Sequence, residues 1–169
     1  MPKEASFEQV YEQLFAPVYR FVKLRIPESE VDDVTSEIIV KVWRSLPGFA
    51  GKSSLTTWAL RIAYHQVADY YRALQAKPKL QLQAEIGEDT AEGDPSEQVA
   101  TSLSVSHTLA QMSEAQVAVI QLRLVQSLSA AETGEILGMS GRAVDSLLYR
   151  AKKSFRKLYC VEAAGGNAT

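Results

Sequence analysis

Residues 128–158, LSAAETGEILGMSGRAVDSLLYRAKKSFRKL, leave little choice to any chain that contains them. Ser129 stands three residues before Glu132, the spacing of a capping box. In that arrangement a hydroxyl and a carboxylate each take one of the backbone N–H groups that a helix start leaves unpaired. The pattern predicts a helix over about Ala130–Leu137. Gly138 can take the positive φ that ends a helix, and Ser140 can cap the next one. Apolar periodicity then predicts a second helix over roughly Gly141–Leu158. Two helices joined by a three-residue glycine turn form a helix-turn-helix, whose first helix braces the second.

Charge gives the second helix a purpose. The chain carries a formal net charge of −2, so no global field draws it to nucleic acid. Yet Arg142 to Lys157 gathers Arg142, Arg150, Lys152, Lys153, Arg156 and Lys157 against Asp145 alone. Ala143, Val144, Leu147, Leu148, Ala151, Phe155 and Leu158 are expected to face inward. Arg142, Asp145, Ser146, Tyr149, Arg150 and Lys153 are left outside as candidate DNA-reading residues. The second helix of such a motif lies in the major groove, where arginine pairs bidentately with guanine and further cations meet phosphates.

Upstream, the chain reads as helices of a different kind. From Phe7, apolar residues recur with a helical period through Val22; Pro17 is expected to kink or break the helix, and Pro27 closes the segment. A second helix is expected to open at Ser29 with Asp32 three residues on, and to bury Val34, Ile38, Ile39, Val42, Trp43 and Leu46. Pro47-Gly48 ends it. Ser53 or Ser54 can cap a third helix over about Leu55–Leu74. In the C-terminal part, Ser113 with Gln116 forms another capping box ahead of a helix over Glu114–Val125.

Between the helical parts the character changes. Residues 73–106 carry Lys77 and Lys79 against six acids, with Gly and Pro and no sustained period. That is linker composition, although KLQLQAEI could form a short strand. The fold expected is all-α: a helical domain over 1–74, a flexible acidic linker over 75–106, a helix-turn-helix domain over 107–160 and a disordered tail over 161–169.

Several function classes fall away. A single cysteine, Cys160, excludes an internal disulfide and suits a reducing cytosol. His65 and His107 form no zinc-like spacing with it. No nucleotide-binding loop or nucleophile–base pairing marks an enzyme, and no cofactor is expected. No apolar run approaches the roughly 18 residues a membrane helix needs, so a cytoplasmic chain without membrane insertion is expected.

The stretches EVDDVTSEIIVKVWRSLPGF and SSLTTWALRIAYHQVADYYR, with the helix-turn-helix after them, resemble the extracytoplasmic-function RNA polymerase sigma factors. In that family an acidic D/E-x-x-D cluster leads a helix ending W-R-x-L-x-x-F, and the next helix carries W-x-x-R-I-A. The likeness covers about 150 of the 169 residues, in the family's order. It implies an alternative sigma factor that binds core RNA polymerase and directs it to −10 and −35 promoter elements, with an anti-sigma factor as a further partner the family often has. By the same resemblance, Asp32, Asp33, Glu37, Val40, Lys41, Trp43 and Arg44 match the helix that docks on the polymerase clamp. Lys52, Ser53 and Ser54 match the loop that catches a flipped −10 base, and Arg61, His65, Gln66, Asp69 and Arg72 the adjoining strand-contact helix. The six outward residues of the basic helix, Arg142, Asp145, Ser146, Tyr149, Arg150 and Lys153, become the −35 readers.

Some positions depart from the family pattern. Tyr64-His65 replaces a usual Arg-Asn, Thr133-Gly134 a common Ile-Ala, and Asp145 and Leu147 stand where basic residues are frequent. Two other readings are compatible with the residues: an autonomous helix-turn-helix transcription factor with an N-terminal sensing module, and a helical adaptor. The promoter elements lie roughly 25 base pairs apart, on the order of 85 Å at ~3.4 Å per pair. A fully extended linker of the expected length reaches about 115 Å, enough to bridge them.

Overall fold

The computed structural model describes residues 6–76 and 97–165; side chains at 76, 97–103 and 162–165 are outside that description. Among the described residues, seven α-helices follow in chain order: α1 Phe7–Lys23, α2 Glu28–Ser45, α3 Leu55–Ala76, α4 Glu97–Ala110, α5 Glu114–Ile120, α6 Ala130–Leu137 and α7 Gly141–Gly165. A 3-10 turn, Leu46–Gly48, follows α2, and a π-helical turn, Gln121–Val125, continues α5. No strand occurs among the described residues. None of their helices is long and apolar enough to cross a membrane. The possible strand KLQLQAEI lies outside the described residues.

Helices α1 to α3 form the N-terminal unit. Ser6 and Gln9 close a capping box at the start of α1. Pro17 does not break the helix. Proline removes one ladder donor and crowds the preceding turn. Val10, Leu14, Val18, Phe21 and Val22 are all buried along α1, and this packing keeps it one unbroken helix. The expected box at Ser29 is not formed: α2 begins at Glu28 with Pro27 as its N-cap, without a side-chain cap bond. A proline's fixed φ suits the residue where a helix begins, so the start moves ahead of Ser29. At α3 the cap is Ser54, whose Oγ accepts from the Thr57 backbone N–H at 3.0 Å.

The C-terminal unit holds the helix-turn-helix. Both expected capping boxes form, Ser113 with Gln116 and Ser129 with Glu132. Gly138 adopts φ 69°, ψ 36° at the end of α6, and Ser140 Oγ accepts from the Ala143 N–H at 3.2 Å. Gly134 is required by packing: a Cβ there would collide with the Met139 carbonyl oxygen of the turn. Helix α4 begins at Glu97, inside the segment expected to be linker, and packs on α7. The expected tail is likewise shorter, since α7 runs to Gly165. Ala143, expected inside, is exposed, while Val144 and Ala151 are buried as expected.

The two units do not stand apart. Leu122, Leu128 and Ile136 of the C-terminal half join one buried cluster with Leu14, Phe21, Ile38 and Leu60. Polar contacts among the described residues cross the junction. Arg25 Nη2 donates to Glu114 Oε1 at 2.9 Å, and Gln121 Nε2 to the Phe21 carbonyl at 3.3 Å. Gln126 Nε2 donates to the Pro17 carbonyl at 2.8 Å, and Thr57 Oγ1 to Glu132 Oε1 at 3.4 Å.

Candidate nucleic-acid interface

The outer face of α2 carries the candidate docking residues. Asp32, Asp33, Glu37, Val40, Lys41 and Arg44 are exposed there, while Val31, Val34, Ile38, Ile39 and Val42 are buried. This division follows directly from the helical period. Trp43 is half-buried, its ring edge-on to Phe7 at 5.6 Å. Val40 is an exposed branched apolar side chain beside acids, which a partner could cover.

A second face adjoins it. Lys41 Nζ donates to Gln66 Oε1 at 2.9 Å, which ties α2 to the outer side of α3. Along α3, Arg61, His65, Asp69 and Arg72 are exposed, and Gln66 is half-buried. Asp69 pairs with Arg72 at 2.6 Å, so the local charge is partly cancelled within the helix. His65 lies edge-on to Tyr64 at 5.7 Å. In the loop before α3, Gly51 takes φ 69° and turns the chain so that Lys52 is exposed. Ser54 is committed to its capping role and to a 2.8 Å bond with Thr57 Oγ1. Of the loop hydroxyls, Ser53 is the one without a bond to the helix start. Trp58 packs at 5.1 Å on Phe49 against the core.

Near the end of α3, Tyr70 is pushed up to about 12 by burial first, and then by Glu30. Burial also raises Tyr71, with the Arg25 guanidinium opposing it. The Tyr71 hydroxyl donates to the Arg25 carbonyl, which ties the end of α3 to the turn after α1.

The third face is that of α7. Arg142, Asp145, Ser146, Tyr149, Arg150 and Lys153 are all exposed, and Tyr149 is 71% exposed. Ser146 Oγ donates to the Arg142 carbonyl at 3.0 Å, and Arg150 Nε to the Ser146 carbonyl at 3.4 Å. Those bonds hold two of the six against the helix. Asp145 does not pair with Arg142. Its Oδ1 lies 3.9 Å from Nη2 of Arg123, a residue of the π-helical turn that sequence periodicity did not single out. Three outward faces therefore stand on one chain: acidic on α2, mixed on α3 and predominantly basic on α7.

The comparisons with known proteins agree with this order. The Sigma-70 region 2 family matches residues 7–77, and the Sigma-70 region 4 family matches residues 102–155. The sigma factor BldN of Streptomyces coelicolor is 27% identical over 158 residues, spanning 90% of this chain and 60% of BldN. The sigma factor YlaC of Bacillus subtilis is 29% identical over 162 residues, spanning 93% of this chain and 94% of YlaC. In fold, the chain is similar to CnrH from its complex with the cytosolic domain of CnrY, with TM-score 0.69 and 24% identity over 92% of this chain and 88% of that one. It is equally similar to Bartonella quintana RpoE from its complex with the anti-sigma factor NepR, with TM-score 0.69 and 19% identity over 92% and 97% of the two chains. With both sigma regions matched in order, and relatives of the same kind along nearly its whole length, the chain belongs to the extracytoplasmic-function RNA polymerase sigma factors.

Proposed function

We propose that this chain is an alternative sigma factor, docking on core RNA polymerase through the exposed face of α2 and reading promoter DNA through α3 and α7. The observation that carries the proposal is a pair of outward faces of opposite character. Asp32, Asp33 and Glu37 line the N-terminal part of one, ahead of Lys41 and Arg44, and Arg142, Arg150 and Lys153 line the other. The acidic face suits a basic helical surface on the polymerase, and the basic one suits the duplex. On this reading, Lys52 and Ser53 of the loop and Arg61 and His65 of the helix after it offset the few kcal/mol that a base taken out of the stack costs. The action is that of an initiation factor working with the polymerase in the cytoplasm, not of a catalyst.

CnrH was solved with the cytosolic domain of CnrY, and RpoE with the anti-sigma factor NepR. Their likeness supports an anti-sigma class of partner for this chain. The decisive experiment is transcription from a promoter library by core polymerase, with and without the chain, beside a gel shift of the chain alone. Promoter-specific transcripts that need both components are expected. Tight promoter binding without polymerase would favour an autonomous transcription factor instead. The docking assignment is tested by Asp33→Lys with Glu37→Lys, which alters one helix face by four charge units. Core polymerase capture should fall while helical content is unchanged; parental capture by the double variant refutes the assignment.

A further inference from the structure

Asp145 is out of place on a helix that meets phosphates, because a free carboxylate there is repelled by the duplex. The structure supplies its counter-charge from outside that helix. Arg123 Nη2 faces Asp145 Oδ1 at 3.9 Å, while Nη1 of the same guanidinium donates to the Leu128 carbonyl oxygen. The Arg123 side chain is 26% exposed and that of Asp145 63%, so the arginine is the anchored member and the carboxylate the presented one.

The anchor is itself fixed. Arg123 lies in the π-helical turn Gln121–Val125, closed by the Gln126 N–H to the Gln121 carbonyl at 2.9 Å. The loop carrying the Leu128 carbonyl is held by the Leu128 N–H to the Leu122 carbonyl at 3.0 Å. Ser127 between them takes φ 56°, the one non-glycine positive φ among the described residues. Single π turns and such backbone positions recur at functional sites, where the surrounding structure offsets their cost. Arg142 enters no ion pair among the described residues, which leaves its fork for a base or a phosphate.

Resting on the sigma-factor reading, we propose that Arg123 is a positioning residue for −35 specificity. It holds the Asp145 carboxylate at the start of α7 as an acceptor for the exocyclic amino group of a cytosine in the major groove. A carboxylate is the natural acceptor for that group, and a fixed cation beside it offsets its repulsion from the backbone. Arg123 touches no base; it acts through Asp145.

The test uses the full chain with core polymerase on promoters randomised across the −35 element. The parent should prefer cytosine at one position by on the order of tenfold, the usual size of a single well-read pair. Asp145→Ala should abolish that preference. Arg123→Gln should lower it to ~2–3-fold at the same position and leave the other positions unchanged. Arg123→Lys, which keeps a cation without the fork, should fall between. In an Asp145→Ala background, Arg123→Gln should change the preference no further. A parental preference in Arg123→Gln overturns the proposal, as does an equal loss at every −35 sequence. Should Arg123→Gln fail to fold, a parental preference in Arg123→Lys marks the arginine as a structural anchor only, which also overturns it. A parent holoenzyme without any −35 selectivity overturns the sigma-factor reading at that first step, and this proposal with it.

Discussion

Glu114→Ala removes the carboxylate that joins the two helical units. Its partner Arg25 is 3% exposed in its side chain, while Glu114 is 46% exposed. Burial lowers the Arg25 pKa and the Glu114 carboxylate acts against it, so the cation depends on this partner. Nη1 of Arg25 already lacks a hydrogen-bond partner. The guanidinium also lies 5.1 Å from the Phe21 ring and 5.6 Å from the Tyr64 ring. Deleting one partner of a fully buried pair costs about 3–5 kcal/mol. Here Glu114 is half in water, which can replace part of its hydrogen bonding. The two aromatic faces continue to attract the cation, at ~0.5–2 kcal/mol for such contacts. The expected loss is therefore ~1–2 kcal/mol, or on the order of 2–8 °C in Tm for a chain of this length.

Urea unfolding followed by two probes tests the argument. Trp43 and Trp58 both belong to the N-terminal unit, so their fluorescence reports that unit, while far-UV circular dichroism reports all the helices. Because Leu122, Leu128 and Ile136 share a core with that unit, the parent should unfold with coincident transitions. Glu114→Ala should lower the midpoint and let the circular dichroism change begin before the fluorescence change. Glu114→Gln, which keeps an acceptor and loses the charge, should lie between. A Glu114→Ala variant within ~0.5 kcal/mol of the parent by both probes, the range of an ordinary surface change, refutes the account.

Two other outcomes follow from the helix-turn-helix. Gly138→Ala should cost ~1–2 kcal/mol in thermal unfolding, all of it from the backbone, since the position has φ 69° and nothing within 4 Å of an added Cβ; an unchanged Tm refutes it. The Glu132 carboxyl is held below its ordinary 4.5 by the Ser129 backbone and side chain. Its contribution to stability is thus fully present above pH 4.5 and is lost as pH falls through the lower folded value. Glu132→Gln should remove that part of the acid dependence, and superimposable acid titrations of variant and parent would count against the capping role.

What the sequence disclosed was local. Capping boxes and a glycine turn act over three or four residues, so Ser113, Ser129, Gly138 and Ser140 could be assigned from spacing alone. The apolar stripe of α2 and the outward set on α7 followed from the helical period for the same reason. Helix α4 escaped because EQVATSLSVSHTLA is rich in serine and threonine, which compete for backbone hydrogen bonds and weaken helical propensity. Its packing on α7 supplies what propensity does not. Ser29 has the spacing of a cap but lies inside the first turn that Pro27 begins. Arg25 with Glu114, and Arg123 with Asp145, are joined by packing between distant segments, and no local period carries that information. Which of the reading residues touch DNA is likewise fixed by a partner surface and not by the fold.

The position of α4 also changes the mechanical argument about promoter span. Helix α3 extends to Ala76 and α4 starts at Glu97, so residues 77–96 connect them. Covalent geometry limits a connection of that length to at most about 70 Å at ~3.3–3.6 Å per residue, well short of the 115 Å available to a longer linker. That alone does not cover the ~85 Å between elements 25 base pairs apart at ~3.4 Å per pair. Helix α4, Glu97–Ala110, adds about 20 Å at ~1.5 Å per residue if it swings into line, which brings the total just to the required span. On the proposed function, then, α4 belongs to the spacer as much as to the −35 unit. Simultaneous reading of both elements at that separation also cannot coexist with Thr57 and Glu132 at 3.4 Å, or with Arg25 and Glu114 at 2.9 Å. The polar contacts at the junction and the shared burial of Leu122, Leu128 and Ile136 must be exchanged for contacts with polymerase and DNA. The free chain therefore carries an energetic bias against its extended form, and binding to core polymerase has to exceed that bias before the −10 and −35 faces can act together.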